Sequence, residues 1–168
     1  MENISFDKLL LNTAFCCMAS DGNIDDREIT LIKSMCEKST LFEDFNFQEE
    51  INKLVTKINT SGKAFFSTYF DLLKANSLTQ QEELILIDFA IQTIKADEVI
   101  EYSEIKFFKN IRHRLQISDE NILAVYPDIE QFLEVDIITE SFLDKITNQY
   151  LDLAELPKFE HIKFDITV

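Results

Sequence analysis

Apolar residues recur at intervals of three and four along most of the chain, the spacing of one face of an α-helix. Phe6, Leu9, Leu10, Ala14, Cys17 and Met18 make the stripe of a first helix, which the Asp21-Gly22 pair should end. A second helix begins near Asp25 and carries Ile29, Ile32, Met35 and Cys36 inward. Residues 46–59 read as a third, with Phe47, Ile51, Leu54, Val55 and Ile58 on its apolar face, and residues 63–75 as a fourth, with Phe66, Phe70 and Leu73. Thr79-Gln80-Gln81-Glu82 has the form of a capping box and opens a fifth helix that runs to about Ala96. A sixth covers about residues 102–115, and Ser118 caps a short seventh that Pro127 should stop. Beyond it the chain is acidic and less periodic, with a helix expected over residues 139–153 and an extended tail over 159–168. The expected fold is all-α: one helical domain over residues 1–126 and a helical, acidic extension over 127–168 packed on or beside it.

Shifting the chain by 76 residues against itself uncovers an internal duplication. Leu10 falls on Leu86, Ala14 on Ala90, Met18 on Ile94, Asp21 on Asp97, Ile24 on Ile100, Asp25 on Glu101, Glu28 on Glu104, Ile32 on Phe108 and Leu41 on Ile117. Apolar and acidic positions repeat together, so each copy is a unit of helix, acidic loop and helix. Two copies are too few for a solenoid and are expected to pack as pseudo-symmetric halves of a bundle of about seven helices, with both loops toward one end.

Composition narrows the class further. With 2 Gly and 2 Pro the chain lacks the tight turns of a sandwich or barrel, and at 46% hydrophobic residues, including 15 Phe, it is too apolar for a disordered acidic tail. The net charge of -15 repels phosphate backbones, which excludes nucleic acid as a first partner and favours divalent cations or basic protein surfaces. The longest uncharged run, residues 9–20, is too short at about 1.5 Å per residue to span a bilayer core of about 30 Å. The start lacks the basic character of a signal peptide. A cytoplasmic protein without membrane insertion is the expectation, and three cysteines without framework spacing read as reduced core thiols.

The two loops carry the candidate chemistry. Copy one reads Asp21-Gly22-Asn23-Ile24-Asp25-Asp26-Arg27-Glu28 and copy two Asp97-Glu98-Val99-Ile100-Glu101-Tyr102-Ser103-Glu104. Each has an acid at the end of one helix, an isoleucine to anchor the loop, and acids in the first turn of the next helix. Hard cations such as calcium and magnesium take such convergent carboxylates. The spacing differs from an EF-hand, because the sixth and twelfth positions counted from Asp21 are Asp26 and Ile32 where that loop needs Gly and Glu. Helix capping accounts for part of the pattern: Asp25 with Glu28 has capping-box spacing, and first-turn acids complement the helix dipole. Capping leaves Asp21 and Asp97 unexplained, since a helix C-terminus disfavours negative charge.

These motifs, Met18-Ala19-Ser20-Asp21-Gly22-Asn23-Ile24-Asp25 with Glu28 and then Lys95-Ala96-Asp97 through Glu104, resemble the TerB-like family of tellurite-resistance proteins. The resemblance covers about residues 5–126. It implies an all-helical fold of about seven helices and an acidic surface patch that binds divalent metal ions, and the leading reading is a non-enzymatic module of that kind. Position by position, that patch is Asp21, Asp25, Glu28, Asp97, Glu101 and Glu104. It further implies a link to tellurite or other stress-response systems, with other stress-response proteins as partners. Glu98 stands where the pattern has glycine after the second Asp, and the last 40 or so residues have no counterpart. The competing function is an interaction domain that docks a basic partner on the same acids without metal.

The remaining chemistry-bearing residues form no comparable site. Cys16, Cys17, Cys36, His113 and His161 lack zinc-ligand spacing, and no Ser-His-Asp set or glycine-rich phosphate loop accompanies the carboxylates. Lys106, Lys109, Arg112, His113 and Arg114 read as a solvated face that pairs with local acids. The aromatics Phe65, Phe66, Tyr69, Phe70, Phe107 and Phe108 read as core, with enough bulk to leave a patch exposed for a partner.

Overall fold

The first helix, α1 (Phe6–Ala19), is apolar around most of its circumference, and a helix of that kind is stable in water only when other elements surround it. In the computed structural model, which describes residues 4–20, 22, 24, 26–38, 46–96, 102–133 and 159, this is its position. Leu9, Leu10, Leu11, Thr13, Ala14, Phe15, Cys16, Cys17, Met18 and Ala19 are all buried. Around α1 lie α2 (Asp26–Lys38), α3 (Phe47–Ser61), α4 (Ala64–Ala75), α5 (Gln80–Lys95) and α6 (Tyr102–His113). Its most extensive contact is with α5, the helix that the 76-residue shift pairs it with. The described residues are helical or loop, without strand, as expected for an all-α bundle. No helix among them is long and apolar enough to cross a membrane.

Local signals set the helix ends. Gly22 follows α1 at φ 81 and donates its N–H to the Ala19 carbonyl, a left-handed stop that suits glycine. Asn46 caps α3 by accepting from the Glu49 N–H, and Gly62 closes it at φ 58. The expected capping box at α5 is present in both directions: the Glu82 N–H donates to Thr79 Oγ1 at 3.2 Å and the Thr79 N–H to Glu82 Oε2 at 2.8 Å. Ser118 caps α7 (Asp119–Val125) as expected.

Pro127 ends α7 without ending helical structure. It opens a 3-10 turn (Pro127–Ile129) that leads into a one-turn helix, α8 (Glu130–Leu133). Proline suits a first-turn position, where its missing N–H costs no intrahelical bond. Ile129 and Phe132 are fully buried, and the Phe132 ring meets Phe108 of α6 edge-on at 5.6 Å. Thus the start of the acidic extension belongs to the core. The helix expected over residues 139–153 lies outside the described residues, as does the expected tail apart from Phe159.

The aromatic residues turn inward. Phe65, Phe66, Tyr69, Phe70, Phe107 and Phe108 are all buried, so they leave no exposed patch. Their rings interlock, with Phe15 against Phe65 at 5.6 Å, Phe66 against Phe107 at 5.6 Å and Phe70 against Phe107 at 5.3 Å, joining α1, α4 and α6. Thr13 Oγ1 donates to the Leu9 carbonyl, so the Tyr69 hydroxyl is the donor in the 2.7 Å bond between Tyr69 and Thr13. Two members of the basic cluster have local roles. Arg112 pairs with Asp119 at 2.7 Å, and the Arg114 guanidinium lies 4.1 Å from the centre of the Phe70 ring.

Candidate functional site

Both α1 and α5 stop just before a candidate aspartate. Their C-caps are Ser20 and Ala96, and the next residues in the chain are Asp21 and Asp97. Asp21, Asp25, Asp97 and Glu101 themselves lie outside the described residues. Ile24 is half-buried against the core, as an anchor for the first loop should be; its counterpart Ile100 is outside the described set.

Glu28 and Glu104 are described, and both turn inward. Each is the third residue of its helix, α2 and α6, and they are 2% and 0% exposed. Glu28 stands one turn ahead of the buried Ile32, and Glu104 one turn ahead of the buried Phe108, so each heads an apolar stripe. Acids in the first helical turn face the positive end of the dipole, which lowers the cost of burying them.

The two carboxylates act on one common neighbour. Burial pushes the Cys17 thiol of α1 well above its usual ionisation range, and the negative fields of Glu104 and Glu28 push it further. Glutamates 76 positions apart in the chain thus both contribute to the field at Cys17 of α1. Among the described residues no three His, Cys, Asp or Glu side chains are grouped to hold a metal ion.

The thiols are core groups held protonated. Cys16, Cys17 and Cys36 are buried and free of disulfides. Burial raises Cys16, with Cys17 adding to it, and raises Cys36 to about 12, with Glu37 and Asp7 adding to it. An unfolded thiol ionises near about 8.5, so above that pH the unfolded chain loses protons that the folded chain keeps. Stability is therefore expected to be full below about pH 8.5 and to fall as pH rises toward the folded value of about 12 for Cys36. Urea midpoints that stay constant from pH 7 to about pH 10.5 would contradict this.

Two polar positions lay outside the sequence expectations. Glu83 of α5 is 4% exposed, and its carboxylate accepts the backbone N–H groups of Gln116 at 2.9 Å and Ile117 at 2.7 Å. It stands in the stripe of Ile87, Ala90 and Ile94, and an acid inside an apolar stripe is the signal that could have found it. Asn59 of α3 binds the backbone of Phe159 in both directions, at 2.8 Å each way. No local pattern announces a partner that distant.

The fold and these acids together define a helical bundle with buried glutamates at the heads of two helices. No family model matches the chain, and no curated protein or solved structure matches it either.

Proposed function

We propose that this protein is a non-enzymatic, TerB-like cytoplasmic module that binds a divalent cation through the acids of its two loops, in a tellurite or other stress-response system. The observation that supports this is that Glu28 and Glu104, equivalent positions of the two motif copies, are both buried at the heads of helices that pack on α1. Burying a carboxylate costs free energy, and a bound cation offsets that cost. Acids directly after the C-caps of α1 and α5 meet an unfavourable dipole, which a cation also offsets.

The donor set is carboxylate oxygen throughout, the chemistry of calcium and magnesium sites. Glu28 and Glu104 would hold the ion from the inner side, with Asp21, Asp25, Asp97 and Glu101 as the loop donors. The bound ion would supply positive charge and join the heads of α2 and α6 through their loops.

The test is calorimetry and thermal melting of EDTA-stripped protein with calcium, magnesium, manganese and zinc. Binding raises the melting temperature by mass action, about 2.7 kcal/mol of added stability when free ion reaches 100 times its dissociation constant. Asp21→Asn and Asp97→Asn should leave the metal-free protein as stable as wild type or slightly more so, while reducing the ion-dependent rise. The cation reading fails if all four ions at millimolar concentration leave the wild-type melting temperature unchanged, or if both variants keep the full rise. The loop acids Asp21, Asp25, Asp97 and Glu101 would then serve as a docking surface for a basic protein partner.

A further inference from the structure

Four asparagines in this bundle use their side-chain amide in one of two ways. Asn12, Asn76 and Asn110 each donate Nδ2 back to the carbonyl four residues earlier, at 2.9, 2.6 and 3.0 Å. Asn59, in the last turn of α3, donates Nδ2 to the Phe159 carbonyl instead and accepts the Phe159 N–H on Oδ1, both at 2.8 Å. The partner lies 100 positions along the chain. A residue presents its own N–H and C=O on the same side when its backbone is extended, as in the hydrogen-bonded pairs of a sheet. The planar carboxamide thus pairs with Phe159 as a neighbouring strand would. The Phe159 side chain packs against the core, and the residue remains half-buried, so the contact sits at the rim of the bundle.

We propose that Asn59 and the adjoining core form a peptide-recognition site that reads an extended segment by its main chain and takes its aromatic side chain, and that the protein fills this site in cis with its own Phe159. Main-chain pairing supplies binding that does not depend on the sequence of the peptide, and the aromatic side chain supplies the selectivity, the division found where peptides add to sheet edges. Tethering within one chain gives an effective concentration in the millimolar range, so a weak intrinsic contact is enough to keep the site filled. Phe159 is then a latch residue that a peptide of the same kind can replace. This inference is independent of the cation site.

The test uses the full-length protein and a fluorescent peptide with the sequence of residues 155–163, read by anisotropy. Wild type should bind the peptide weakly, because its own latch competes. Phe159→Ala weakens the latch and should bind about tenfold tighter. Adding Asn59→Asp to Phe159→Ala keeps the acceptor, removes the donor and sets a carboxylate against the peptide carbonyl. That double variant should lose the gain, about tenfold or more. A peptide N-methylated at the Phe159 amide lacks the N–H and should fail to bind the Phe159→Ala protein, a control that needs no further protein variant. The proposal is overturned if Phe159→Ala binds no tighter than wild type, or if the N-methylated peptide binds as well as its parent. It is also overturned if wild type sediments as a dimer that Phe159→Ala converts to monomer, since the latch would then belong to a second copy.

Discussion

Glu83→Ala is expected to destabilise the protein by about 3–5 kcal/mol, the loss of two hydrogen bonds to a carboxylate at about 1.5–3 kcal/mol each. Its carboxylate accepts two short hydrogen bonds from the backbone of Gln116 and Ile117, where the chain passes from α6 to α7. Alanine would leave both N–H groups without their acceptor, and Ile117 is itself only 4% exposed. The loss is therefore larger than the net value of two ordinary hydrogen bonds, because the acceptor is a carboxylate and the buried Ile117 N–H would lose it without gaining water. In a domain of this size each kcal/mol moves the melting temperature by about 2–4 °C, so a fall on the order of 10 °C should be seen by calorimetry. Glu83→Gln keeps the shape and one acceptor oxygen and should fall between wild type and alanine. A loss below about 1 kcal/mol for Glu83→Ala would show that water or a rearranged backbone satisfies those groups.

Phe132→Ala is the second large effect, expected at about 3–5 kcal/mol from lost burial and the cavity left behind. Phe132 belongs to a helix of only four residues, and its weight in the fold comes from packing. Its ring is fully buried and meets Phe108 edge-on. Phe108→Ala should cost a similar amount. The double variant should cost less than the sum by about 0.5–1.5 kcal/mol, the coupling typical of an aromatic pair. Urea denaturation of the four proteins measures both quantities. A small effect for Phe132→Ala alone would mean that α8 is peripheral and that the folded core stops before the extension.

The helices and their ends were legible because both depend on neighbours in sequence. Apolar residues three and four apart define a face whatever the rest of the chain does, and the Thr79-Glu82 box and Gly22 act within one turn. The 76-residue repeat is likewise a comparison of residues with residues that needs no coordinates. Net charge also follows from the sequence alone. What the aromatic residues would do was only half decided: their number announced a core, yet the inward turn of all six depended on how α1, α4 and α6 meet. Among the acids, residue type and stripe position were visible and the partners were not. Glu28, Glu83 and Glu104 each lie in an apolar stripe, which marks them as inward, but their surroundings come from other helices. Glu28 and Glu104 belong to α2 and α6, both packed on α1, and the partners of Glu83 lie 33 and 34 residues further on. The pairing of Asn59 with Phe159 is the extreme case, at 100 residues. Local periodicity determined which segments are helical and which face each buries; only the tertiary packing decided where a buried polar group finds its partner, because that partner is set by distance in space, which residues far apart in sequence acquire only when the chain has folded.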